Sequence, residues 1–248
     1  MNLFEYFHER NNKRQILDKF SILCQKNKFK MKTIGRDSKQ NEIFYCSKMH
    51  DNNMPTLAFV AGLHGNEPAG VYGLYEFLKT ASNIDKNIIM IPLMNPHGFE
   101  KNIRRNSDGK DLNRQWDKSE LKIVNRVKKL MKKINPDFLF SLHEDGTAGG
   151  YYVYGSKIVP NRLLKKITSI LNKHLDPVPD GEIYGDKVKD GIVVQNNEEK
   201  PKHYKSMEYY FEKNGIPSIT VEIPSDLPLK KRKLIYKKLI EEIVNFVN

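Results

Sequence analysis

The chain has 248 residues, 39% of them hydrophobic and 10% aromatic, which is enough for a full core and too apolar for a disordered chain. Its 42 Lys and Arg against 30 Asp and Glu leave a formal charge of +12. The longest apolar runs, "TLAFVAGL" and "IIMIPLM", fall far short of the ~20 residues a membrane helix needs.

The start, "MNLFEYFHERNNKRQ", lacks the apolar stretch of a signal peptide, and Cys24 and Cys46 have neither metal-like nor framework spacing. A cytoplasmic protein in a reducing compartment is therefore expected. No period of 20–50 residues repeats, and no low-complexity stretch divides the chain. One domain over 1–248 is expected, with a helical N-terminal extension over 1–28. That extension places Ile16, Leu17, Phe20 and Leu23 on one helix face. "FKMKTI" and "EIFYCS" read as strands joined by the polar turn "GRDSKQN". "TLAFVAG" is a fully apolar strand, and a helix is predicted from about Pro68 to Leu78. "NIIMIPLMN" is a second buried strand, followed by a long polar loop over 95–116 with no periodicity.

A helix over about 119–134 leads into the strand "DFLFSLH", and "YYVY" adds another. A helix around 161–174, an irregular Pro/Gly/Asp-rich stretch over 176–191 and a short helix near 206–213 follow. The strand "PSITVEI" and a helix over about 228–247 close the chain. Lysines recur at helical spacing in "RVKKLMKKI", "LLKKI" and "LKKRKLIYKKLI". These read as solvated helix faces; a basic nucleic-acid binder is the competing reading, but no base-stacking motif accompanies the charge.

Apolar strands alternating with amphipathic helices predict an α/β fold, a mostly parallel mixed sheet with helices on both faces. Sites in such sheets form beyond the carboxyl ends of strands. His64 and Glu67 in "AGLHGNEPAG", His143 in "FSLHED" and Glu222 in "TVEIP" each sit at or just past such an end. Two histidines and a carboxylate make a donor set for a catalytic zinc, and Gly62 and Gly65 permit the tight turn that brings His64 and Glu67 together.

With "RRNSDGKDLNR" in the polar loop and "GIPSITVEIP" near the end, the chain resembles the zinc carboxypeptidase superfamily over about residues 40–225. That superfamily includes carboxypeptidase A-like peptidases, murein-peptide amidases and the succinylglutamate desuccinylase/aspartoacylase branch. The resemblance implies one Zn²⁺ held by His64, Glu67 and His143, and Glu222 as general base. It implies Arg104 at the oxyanion, with Arg105 as the alternative, and Asn113 and Arg114 gripping a free carboxylate on the substrate. Asp111 would accept the far N–H of His64. Tyr204, with Tyr184 behind it, is the candidate for a tyrosine that closes over the substrate.

Other residues are read more plainly. His97 is structural or substrate-facing; Glu144 and Asp145 either bias the pocket toward cationic groups or lie exposed. His8, His50, His174 and His203 read as surface residues. The implied activity is a metallocarboxypeptidase that releases a C-terminal amino acid from a small peptide. A murein peptide met in the cytoplasm falls within that class. The alternative is amidohydrolysis of an N-acyl amino acid, and the alternative of another class is a non-catalytic basic binding protein.

Overall fold

The computed structural model describes residues 11–50, 53–194 and 204–247. Seven helices lie among them: α1 (Lys13–Lys26), α2 (Ala69–Leu78), α3 (Pro96–Lys101), α4 (Lys122–Ile134), α5 (Asn161–Leu171), α6 (Met207–Lys213) and α7 (Leu229–Phe246). The strands are β1 (Lys30–Arg36), β2 (Glu42–Lys48), β3 (Thr56–Ala61), β4 (Asn87–Ile91), β5 (Phe138–Asp145), β6 (Tyr152–Gly155), β7 (Gly181–Ile183), β8 (Asp186–Lys189), β9 (Ile192–Val194) and β10 (Ser218–Pro224). All ten join one sheet in the order β1-β2-β4-β3-β5-β10-β6-β9-β8-β7.

The fold is a single α/β domain. Its parallel part is narrower than the strand pattern predicts. β4, β3, β5 and β10 run parallel at the centre, whereas β1 and β2 on one side, and β6 against β10 on the other, pair antiparallel. The sheet is mixed, with a parallel core flanked by hairpin-like edges.

Side-chain alternation explains why both faces carry helices. Along β3, Leu57, Phe59 and Ala61 enter a core shared with α1, α2, α5 and α7, while Ala58 and Val60 enter a core shared with α4 and α6. α4 buries Ile123, Val124, Val127 and Met131 on one stripe and ends where Asn135 turns left-handed at φ 49°. Its lysines point outward, so much of the net charge is a solvated face. α1 packs Ile16, Phe20 and Cys24 into the first core. Cys24 and Cys46 are both buried free thiols.

Two stretches expected to be irregular are ordered. The loop over 95–116 contains α3, capped by the Asn95 side chain, and a single 3₁₀ turn at Leu112–Arg114. The stretch after 176 contains β7 and β8, joined at Tyr184–Gly185, where both φ values are positive (52° and 85°), as a tight two-residue hairpin demands. No helix among the described residues is long and apolar enough to cross a membrane.

Candidate metal centre and its cavity

The carboxyl ends of β3, β5 and β10 open onto one cavity of about 610 Å³. Period-two alternation decides what faces it. On β10, Ile219, Val221 and Ile223 go to the α7 side, and Ser218, Thr220 and Glu222 line the cavity. On β6, Val153 goes to the core, and Tyr152 and Tyr154 face the cavity.

β3 ends in the turn carrying His64 and Glu67. Gly62 takes φ 62°, and a Cβ on Gly65 would lie 1.9 Å from the Gly98 carbonyl carbon, so this turn packs against α3 as only glycine allows. His64, Glu67 and His143 are 3%, 3% and 1% exposed. One ligand atom from each lies within 4.8 Å of the others, a spacing that suits a single cation. His64 Nδ1 and His143 Nδ1 each approach a different Glu67 oxygen at 2.7 Å, Oε1 and Oε2 respectively. Burial pushes the Glu67 carboxyl up, but the His143 and His64 imidazoles overcome it and hold it at about 2. Burial opposes a proton on His143, yet Glu67 and Glu208 beside it raise its proton affinity well above the usual value. The donor set is thus two Nδ1 atoms and an ionised carboxylate at buried positions, which fits Zn²⁺ or a similar divalent ion.

Asp111 ties the loop to this centre. Its Oδ1 accepts from the Asn113 backbone N–H at 2.9 Å and from His64 Nε2 at 3.0 Å, and its Oδ2 accepts from Arg104 Nε at 3.0 Å. Burial opposes its charge, but His64 and Arg104 hold its carboxyl well below the usual range. Arg104 lines the cavity and reaches Glu67 Oε1 at 3.3 Å, while Arg105 turns outward to the Gly109 carbonyl and does not line it. Asn95 Nδ2 donates to the Arg104 carbonyl, fixing the backbone there.

Asn113 and Arg114 also line the cavity. Asn113 Oδ1 accepts from the Met207 backbone N–H at 2.9 Å, so its amide N–H groups are the donors left for a ligand. Glu222 pairs with His143 across β5 and β10. Burial, together with the Glu67, Asp145 and Glu208 carboxylates, pushes Glu222 up to about 8 against the lowering effect of His143.

Behind the centre, α7 braces the strand ends. Tyr236 OH donates to the His143 and Val221 carbonyls, and Arg232 pairs with Glu144, whose other oxygen accepts from the Ala69 N–H at 2.6 Å. Glu144 is therefore a buried strut. Asp145 accepts from the Tyr152 and Tyr184 hydroxyls, both at 2.6 Å, at the cavity wall.

Tyr204 does not line the cavity, and Tyr184 does, carried there by the β7–β8 hairpin. His97 is partly buried and away from the cavity; burial, then nearby lysines, lower its proton affinity. His50 and His174 are exposed; His8 and His203 fall outside the described residues. Sequence reasoning missed Glu208, which lines the cavity from the first turn of α6 with Oε1 3.7 Å from His143 Nε2. His143 holds its carboxyl at about 2 against burial. No local pattern marks it, because only the packing of α6 against β10 brings it there.

The fold and the placing of the four motifs resemble those of the zinc carboxypeptidase-like superfamily. More particularly, residues 53–158 match the family model of the succinylglutamate desuccinylase/aspartoacylase catalytic domain. Among solved structures, a candidate metallopeptidase of Shewanella amazonensis is 21% identical over 96% of this chain and 94% of its own, with a TM-score of 0.83. A metallo-carboxypeptidase of Burkholderia cenocepacia is 16% identical over 94% of this chain and 68% of its own, at 0.73. The murein-tripeptide amidase MpaA of Escherichia coli O157 is 18% identical over 88% of this chain and 91% of its own, at 0.62. At these identities the likeness is one of fold. No curated protein matches the chain in sequence.

Proposed function

We propose that the protein is a zinc-dependent hydrolase that cuts an amide bond next to a free carboxylate, releasing a C-terminal amino acid from a small peptide. The observation that carries this reading is the meeting of His64, Glu67 and His143 beside the cavity that Glu222, Arg104, Asn113 and Arg114 line. A cation held by the three ligands supplies Lewis-acid polarisation of the carbonyl and of water.

The chain's own groups supply the rest. Glu222, ionised, takes the proton of the attacking water and returns it to the leaving amine. Arg104 faces the oxygen on which negative charge develops. Arg114, with the Asn113 amide, holds the substrate carboxylate, and Tyr184 covers the mouth of the cavity.

The second reading, hydrolysis of an N-acyl amino acid, is favoured by the family match over residues 53–158. It uses the same groups and differs in what the far wall must accept. A cytoplasmic location belongs to the same proposal and is checked by cell fractionation.

The test is a mass-spectrometric screen of short peptides and N-acyl amino acids with metal quantification on the same sample. Chelator-sensitive release of a free amino acid, lost when the substrate carboxylate is amidated, is the expected outcome. A salt-sensitive nucleic-acid complex indifferent to chelator, with no hydrolysis, would support the basic binding protein instead.

A further inference from the structure

The two ligating histidines are supported unequally. His64 has both ring nitrogens engaged, with Nε2 on Asp111 Oδ1 at 3.0 Å. His143 has Nδ1 on Glu67, but its Nε2 is buried without a hydrogen-bond partner. Across from it, at 3.7 Å, Glu208 Oε1 is also buried without a partner. A buried polar atom left unpaired is costly, because it has lost its hydrogen bonds to water and gained none. Two complementary ones facing each other form one contact left slightly open, beyond hydrogen-bond length, with the equally unpaired Ser141 hydroxyl beside the Glu208 carboxylate.

The chemistry of the centre says what closes it. When Nδ1 gives its lone pair to a cation, a neutral imidazole carries its proton on Nε2, and that proton needs an acceptor. Asp111 is the acceptor for His64. We propose that Glu208 is the acceptor for His143, a positioning residue whose contact shortens to a hydrogen bond when the triad holds its cation, fixing the tautomer and the ring plane. Each ligating ring is then backed by a carboxylate from a separate element, one from the polar loop and one from α6.

α6 is held in a place that suits this task. The Ser206 hydroxyl accepts from the Tyr209 N–H at its start, and the Met207 N–H donates to Asn113 Oδ1. The group proposed to grip the substrate carboxylate and the partner of His143 therefore hang on adjacent residues, Met207 and Glu208. Ordering of one restrains the other.

This inference rests on reading the triad as a cation site, and the test separates the two. Full-length protein is stripped with chelator, and its affinity for Zn²⁺ and Co²⁺ is measured by competition with a chromogenic chelator, for the wild type, Glu208→Gln and Glu208→Ala. Thermal midpoints of the metal-free proteins are recorded alongside. Wild type is expected to bind one ion. Glu208→Ala is expected to bind roughly 10–100-fold more weakly, with an altered Co²⁺ absorption spectrum. Glu208→Gln, isosteric and still an acceptor through its amide oxygen, is expected to fall between them.

A purely structural role would lower the metal-free midpoint and leave affinity and spectrum alone. That result, with the wild type binding its ion normally, would overturn the inference. Should Glu208→Ala fail to fold, Glu208→Gln decides: unchanged affinity overturns it, and a several-fold loss supports it. A wild type that binds no ion refutes the cation site itself, and this inference with it.

Discussion

Glu222 has the environment that bears most directly on its proposed task as general base. Burial and three neighbouring carboxylates push it up to about 8, so without a cation it is largely protonated at neutral pH. A divalent charge at the adjoining triad favours the ionised form and brings it back down. A base acts only when ionised, so kcat/KM should fall as pH drops through its pKa. That acid limb is expected between the ordinary carboxylate value of 4.5 and about 8. Glu222→Gln is expected to keep its metal and lose at least ~100-fold in turnover; near-normal turnover would exclude Glu222 as the base. At this scale the sequence was informative because the proposed ligands and base sit at strand ends in short recognisable motifs. It was silent on Glu208 and on the choice between Tyr184 and Tyr204, since both depend on which surfaces pack together.

At the scale of elements, α7 is more than cover for the sheet. Tyr236 OH bridges the His143 and Val221 carbonyls, pinning the ends of β5 and β10 that carry His143 and Glu222. Tyr236→Phe keeps the ring in the core and removes both bonds. It is expected to cost about 1–2 kcal/mol in denaturant unfolding, together with weaker metal binding; an unchanged midpoint would show that the carbonyls need no such brace. The long strands were legible because β3 and β4 are continuous apolar runs and β10 alternates. β7, β8 and β9 were not, being only three or four residues long and set among turn-forming residues. Hairpins of that length hold together through the sheet they join, which local sequence does not describe.

For the whole molecule, charge is segregated. The +12 of the chain lies largely on lysine-bearing outer faces such as that of α4. The cavity lining instead includes Asp186, Glu208 and Glu212, with the hydroxyls of Ser156, Ser218 and Thr220. A substrate residue gripped at its carboxylate by Arg114, as proposed, would share this lining with the Asp186 and Glu212 carboxylates. Peptides ending in a basic or neutral polar residue are expected to give kcat/KM at least ~10-fold above those ending in Asp or Glu. The reverse order, with fast turnover of N-acyl acidic amino acids, would favour the acyl-amino-acid reading.

Every chemical role above depends on three side chains sharing one ion. The most direct measurement is an anomalous difference map at the zinc edge from crystals grown with Zn²⁺. A single dominant peak within ~2.0–2.2 Å of His64 Nδ1, Glu67 and His143 Nδ1 is the expected result. A map with no peak there, or with the imidazoles of His64 and His143 bound to anything other than a common ion, would contradict the account.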